Sequence, residues 1–277
     1  MLPTAQNKQV FSLQPEQPWF VLSASQKYSL MRSENQSVSH FYSFKVSRNA
    51  INTLAIPDGC VDILFDCNDS KPVARVCGSP LEAREVELIP GHDYFGVRFK
   101  PGALPAFLNL SAEELTDNEY SFLDVIPDGY EAFERIVSSS VLPHRIYLFN
   151  QYFNPDIVRS PCLVSQWAID EIIRSRGCIR MDKLETLTGY TCRTIQRLFR
   201  QDTGMSPKAF SRIIRFQYAL NTINKVSNIT FCELALDLGF SDQSHFLREF
   251  KKLVSTTPLE YQRRITIESY NDRIRYH

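Results

Sequence analysis

Two short sets of side chains, fifty residues apart, carry the most specific chemistry in the sequence. Arg193, Gln196 and Arg197 form the first set, and Gln243, Ser244 and Arg248 the second. An arginine fork matches guanine O6 and N7, and a glutamine amide matches adenine N6 and N7, so both sets suit the edges of base pairs. Thr191, Lys208, Arg212, Lys251 and Lys252 lie near the ends of the same segments, where hydroxyls and flexible cations suit phosphate oxygens. A polar stripe is usually a solvated helix face. Here repetition argues for more.

The stretches "LETLTGYTCRTIQRLFRQDTGMSP" and "LALDLGFSDQSHFLREFKKLVSTTP" are two copies of one unit. Leu184, Gly189, Tyr190 and Thr191 match Leu234, Gly239, Phe240 and Ser241 at an offset of 50. After one extra residue, Arg197, Phe199, Arg200, Pro207 and Phe210 match Arg248, Phe250, Lys251, Pro258 and Tyr261. Each copy reads as helix, glycine turn, helix: the glycine supplies the positive φ that ends the first helix, and Thr191 or Ser241 caps the second. Ile195, Leu198 and Phe199 form an apolar stripe in one copy, and Phe246, Phe250 and Leu253 in the other. This is the helix-turn-helix pattern, whose second helix enters a DNA major groove. The helix predicted over "SPKAFSRIIRFQYALNTI" separates the two units. Two such helices on one chain would enter successive grooves roughly 34 Å apart. A mismatch with that repeat would bend the DNA, at a cost of order 1–6 kcal/mol.

The rest of the chain must position these units. Residues 1–164 carry 13 basic against 19 acidic side chains, and residues 165–277 carry 18 against 12. A net of zero thus conceals an acidic part joined to a basic one, and only the second is suited to a polyanion. Composition is that of a globular protein, with 43% hydrophobic and 22% charged residues. No apolar run reaches the ~18 residues of a membrane span, and "MLPTAQNKQVFSLQPEQ" lacks the order of a secretion signal. Seven cysteines without a CxxC suit a reducing cytoplasm.

Before residue 100, short β-rich runs ("WFVLS", "HFYSFKV", "VDILFD", "YFGVRFK") alternate with turn signals such as "PDG" and "PGH", which predicts a small barrel or sandwich. Helices follow over 105–153, one opening on a Ser111/Glu114 capping box. Pro155 and Pro161 mark a linker. The expected fold is α+β and multidomain, with boundaries at 1–154, a linker at 155–164, a helical bundle over 165–265 and a tail at 266–277.

The second part closely resembles the AraC/XylS-type family of bacterial transcription regulators. The resemblance is carried by "LETLTGYTCRTIQRLFRQDTGMSPKAF" and "LALDLGFSDQSHFLREFKKLVSTTPLEYQRR" and covers about residues 165–265. It implies a bipartite DNA-binding domain of seven helices, with Arg193, Gln196, Arg197, Gln243, Ser244 and Arg248 as base contacts. Glu185 replaces the family's usual Ala beside the first turn, which implies looser packing there. Ser255 replaces the usual Gly after the second recognition helix, with function intact. "IPDGCVDILFD", "FGVRFKPGA" and "LSAEELTDNEYSFLDVI" resemble the cupin-like amino-terminal region of one subgroup, which implies a sensor or dimerisation role.

Within that first part, Asp58-Gly59 reads as a tight hairpin turn. His40 and His92 lack cupin metal spacing and read as structural, so no metal or cofactor is expected. Cys60 and Cys67 read as buried thiols, and Phe41, Phe44, Phe65, Phe95 and Phe99 as core. Arg98 and Lys100 flank Phe99 on one strand; facing inward together they would suit an anionic effector. The leading reading is a DNA-binding regulator acting on a double-stranded operator, with a small-molecule effector, RNA polymerase and a second copy of the chain as further partners. The alternatives are a cupin-fold enzyme fused to a DNA-binding module and a ligand-independent dimeric regulator. No GxSxG, HExxH or P-loop motif supports catalysis.

Overall fold

The computed structural model describes residues 13–277 other than 50–52, 69, 155–157 and 227–228. Pro155 and the start of the expected linker lie outside the described residues. The chain begins with a short helix, α1 (Pro18–Ser23), where a strand was expected over "WFVLS". Pro18 stands at the first helical position, where its fixed φ favours a helix. All six residues are buried, so the sequence shows no helical period.

Strands β1 (Tyr28–Arg32), β2 (Val38–Lys45), β3 (Thr53–Ala55), β4 (Asp62–Asp66), β5 (Val73–Cys77), β6 (Arg84–Val86) and β7 (Asp93–Phe99) follow. Then come α2 (Ala112–Leu115), β8 (Glu119–Ser121), α3 (Phe122–Val125), α4 (Tyr130–Ser138) and α5 (Leu142–Tyr152). Ser111 and Glu114 make the expected capping box on α2, which runs for only four residues. The bundle comprises α6 (Leu163–Arg174), α7 (Met181–Thr188), α8 (Cys192–Thr203), α9 (Pro207–Lys225), α10 (Phe231–Asp237), α11 (Gln243–Val254) and α12 (Pro258–Ile267). The carboxy-terminal residues form α13 (Tyr270–Arg273) and a last strand, β9 (Ile274–Tyr276).

The main sheet runs β8-β5-β4-β7-β2-β1-β9, with β3 and β6 paired separately. β9 joins it in parallel to β1, with Tyr28 opposite Ile274 and Leu30 opposite Tyr276. The segment expected as a tail therefore ties the helical part back to the sheet. Side chains alternate across a strand, so each strand offers two faces. On β7, Phe95, Val97 and Phe99 enter the core closed by α2–α5. Tyr94 points to the opposite face and joins Tyr28, Leu30, Tyr42 and Phe44 in a cluster shared with the helical part. Phe44 is thus on the other side of the sheet from Phe41, Phe65, Phe95 and Phe99. Gly96 makes room for the Tyr42 ring, which lies 2.0 Å from where a Cβ would stand.

The Asp58-Gly59 pair is not a two-residue hairpin, since β3 pairs with β6 rather than β4. Instead Asp58 accepts from the Cys60 amide at 3.0 Å, and Gly59 adopts φ +74° beneath the Phe210 ring of α9. That loop is part of the seam between sheet and bundle.

Candidate nucleic-acid interface

Each helix-turn-helix unit is built by local rules. α7 ends at Gly189 with φ 73°, and the Thr191 hydroxyl accepts from the Thr194 amide to cap α8. In the second copy Gly239 has φ 68°, but the cap of α11 is Asp242, accepting from the His245 amide at 2.7 Å. Ser241, the expected cap, bonds side chains instead, reaching His245 Nδ1 at 3.1 Å. The extra residue of the second copy lies in the turn, so Asp242 is the structural counterpart of Thr191. The backbone donation holds the Asp242 carboxyl below the usual range.

Glu185 does not loosen the first unit. Its carboxylate accepts from the Cys192 amide, supplying a second cap at the α8 N-terminus. In the sequence Glu185 reads as a packing departure; its signal as a cap is only its place seven residues before the first residue of α8.

Ile195, Phe199, Phe246, Phe250 and Leu253 are buried, as the stripes predict, whereas Leu198 at the edge of its stripe is half-buried. The polar faces turn outward: Arg193, Gln196 and Arg197 on α8, and Gln243, Ser244 and Arg248 on α11, are all exposed. Lys208 and Lys251 are exposed near helix ends. Arg212 is already engaged: its Nε donates to Glu249 at 2.5 Å, and a buried terminal nitrogen has no partner among the described residues. Lys252 lies 2.7 Å from Glu82 of the sheet-bearing part. Thr191 serves α8 as its cap, with its hydroxyl also 3.1 Å from that of Thr194.

Arg98 and Lys100 part company. Arg98 is 1% exposed and held by Asp62, with Asp58 at 3.5 Å. Lys100 lies beyond the strand and is half-buried, and burial lowers its pKa. His92 pairs with Asp66 at 2.8 Å, whereas His40 is buried beside Ser39. Burial pushes the Cys67 thiol up to about 12 and the Cys60 thiol well above its ordinary value.

A helix-turn-helix domain model matches residues 184–264, and a domain of unknown function (DUF6597) matches residues 35–121. Among curated proteins, the chain is 28% identical over 99 residues to the probable transcription factor PqrA of Proteus vulgaris, covering 36% of this chain and 80% of PqrA. It is 29% identical over 83 residues to the transcriptional regulator MtrA of Neisseria gonorrhoeae, covering 30% of this chain and 27% of MtrA. Among solved structures, a probable AraC family transcriptional regulator from Rhodopseudomonas palustris is 30% identical, with 36% of this chain and 95% of that one covered and a TM-score of 0.33. Residues 184–264 thus form a helix-turn-helix domain of the AraC type. Such a domain marks a DNA-binding transcription regulator and supports binding to double-stranded DNA. ToxT from Vibrio cholerae aligns over 88% of it and 98% of ToxT, at 13% identity and a TM-score of 0.40. No helix among the described residues is long and apolar enough to cross a membrane.

Proposed function

We propose that α8 and α11 read two adjacent sites on one operator, and that the sheet-bearing part governs how the second helix is presented. Arg193, Gln196 and Arg197 take base edges in one groove, and Gln243, Ser244 and Arg248 in the next. Lys208 and Lys251 hold phosphates. Arg212 acts instead through Glu249, bracing α9 against α11. The reading assigns no catalysis to the chain.

One observation carries this: two capped helices in one chain bury their apolar stripes and leave both Arg/Gln faces exposed. Effector control enters because the sheet and the second unit share one core, so a ligand that favours one packing of the seam shifts the presentation of α11.

Selection of binding sites from random duplex DNA tests it. Two short motifs about one helical turn apart are expected. Gln196→Ala should relax one motif and Arg248→Ala the other, each by about 1–3 kcal/mol at the base pair concerned. Enrichment of no motif, with binding that collapses steeply in salt, would make both helices scaffold.

A further inference from the structure

A cavity of about 90 Å³ lies between the sheet and the bundle, bordered by β1, β2, β7 and β9 on one side and by α9 and α13 on the other. Two side chains on its sheet side are 2% exposed and incompletely bonded, Tyr28 and His40. His40 Nδ1 lies 3.0 Å from the Ser39 hydroxyl, but among the described residues nothing bonds its Nε2 or the Tyr28 hydroxyl. Buried polar groups are nearly always hydrogen-bonded, so these two point to an occupant of the cavity. A cavity of ~150 Å³ holds benzene with its six heavy atoms, which limits this one to a few waters or a molecule of about five heavy atoms, the size of glycine. A long-chain lipid does not fit. The neighbouring cavity beneath Gly59 and Gly102, at about 20 Å³, has room for a single water.

Charge narrows the class. The Arg98 guanidinium is balanced by Asp58 and Asp62 and is not available. Glu16 on the cavity wall accepts from Asn224 and, at 3.2 Å, from the Tyr270 hydroxyl, both through Oε2. Its Oε1 has no partner among the described residues. Two exposed cations, Arg32 and Lys225, line the same cavity. Among the described residues their hydrogen bonds go to neutral amides, Gln14 at 2.9 Å and Asn221 at 3.3 Å, and Arg32 also lies 5.9 Å from the Tyr276 ring centre. One carboxylate and two loosely held cations match a ligand that carries both an amine and a carboxylate.

We propose that this cavity binds a small zwitterionic α-amino acid, its ammonium on Glu16 and its carboxylate on Arg32 and Lys225. The proposal rests on the effector reading above and gives that effector a chemical class. Tyr28 and His40 complete the ligand's hydrogen bonds from the sheet, while Asn224 and Tyr270 hold Glu16 from the bundle. Occupancy therefore fastens the two parts together.

The pH dependence follows from the groups around Glu16. Burial pushes its carboxyl up to about 7, while Asn224, Tyr270 and Lys225 favour the charged form. Tyr261 and Tyr276 also feel the Glu16 charge and stay neutral, their hydroxyls raised mainly by burial. His40 stays neutral because burial and the nearby Arg98 and Arg32 lower it. An ammonium needs the Glu16 carboxylate, so affinity rises as pH passes upward through about 7.

The test uses the full chain, with melting temperature and calorimetric titration read against glycine and alanine. Each is paired with its 2-hydroxy acid, which lacks the amine, and its decarboxylated amine. Stabilisation by an amino acid, with affinity at least about tenfold lower for both truncated partners, is the expected result. Lys225→Ala and Arg32→Ala, at exposed positions, should weaken binding of the amino acid but not of the amine. Glu16→Gln should abolish the pH dependence. Stabilisation by a monosaccharide or a long-chain fatty acid with no response to any amino acid would overturn the proposal, as would no response to any probe by folded wild-type chain. A chain that selects its DNA motifs yet ignores amino acids sinks this ligand class alone. One that binds them yet selects no DNA sinks the regulator reading alone.

Discussion

In the first helix-turn-helix unit, Ile195 and Phe199 pack against Ala168, Ile172, Leu184, Phe210 and Ile214, all from the bundle itself. In the second, Phe246, Phe250 and Leu253 enter a cluster that runs on through Trp19 and Phe20 of α1 to Tyr42 and Phe44 of the sheet. Trp19 meets Tyr261 edge-on at 5.8 Å, and the Arg264 guanidinium lies 4.7 Å from its ring centre. The first unit touches the sheet-bearing part mainly at one end, where Gly204 after α8 fits against Ala112 and Thr116. One unit therefore rests on its own core and the other on a core shared with the sheet. Changes in the sheet or its cavity reach α11 first.

The strongest way to break this comparison is Trp19→Ala. Removing a buried Trp costs about 3–5 kcal/mol, and the loss should fall on the second unit. Chemical denaturation should show it, and site selection should lose the Arg248-dependent motif before the Gln196-dependent one. Equal loss at both motifs would mean that the two units share one dependence.

Glu16 probes the same seam by pH. Its folded-state pKa of about 7 lies above the ordinary 4.5, so ionising it opposes the docked structure. The penalty is absent below about 4.5, grows as pH rises and is complete above about 7. Discounted for the half-exposed residue, Glu16→Gln should gain about 1–2 kcal/mol over wild type on going from pH 5 to pH 8. A pH-independent difference in unfolding free energy would place Glu16 in water and uncouple it from the seam.

The caps sharpen the contrast at smaller cost. Glu185→Ala removes a carboxylate from the α8 N-terminus and should destabilise by about 1 kcal/mol, seen as a lower denaturation midpoint. A neutral outcome would show that Thr191 suffices, as Asp242 does on α11. Ser255 ends α11 with φ 61°, a left-handed conformation that glycine adopts more readily. Ser255→Gly should stabilise by up to about 1 kcal/mol, leaving operator selection unchanged. Loss of stability would mean that the extra freedom of glycine in the unfolded chain outweighs the strain.

Much of the interface was legible because its rules are local. Glycine turns, N-caps, three-and-four spacing and outward Arg/Gln positions each involve contacts within a turn or two of helix. Thr191 was readable as a cap for that reason. The second cap reads as Ser241 for the same reason: the extra residue in the second turn moves the cap along by a single position, to Asp242. Glu185 reads as a packing departure because it caps across the turn rather than within its own helix.

Along the sheet, period-two alternation marked the strands but not their occupants. Arg98 shares a strand with Phe95 and Phe99, and only the arrival of α9 and Gln17 over Asp58 makes its face an interior one. The six residues of α1 are buried on every side because two parts of the chain enclose them, which erased the period that would have revealed a helix. β9 is three residues long, and its place beside β1 depends on a partner more than two hundred residues away.

The sequence by itself determined the repeat, the two exposed Arg/Gln faces and the helix-turn-helix type, since each is written in short-range spacing. The tertiary structure alone decided that the second reader shares its core with the sheet, that the carboxy-terminal strand ties them together, and that a polar cavity lies between. Those features depend on which apolar faces meet, and burial between distant segments leaves no periodic trace in either one.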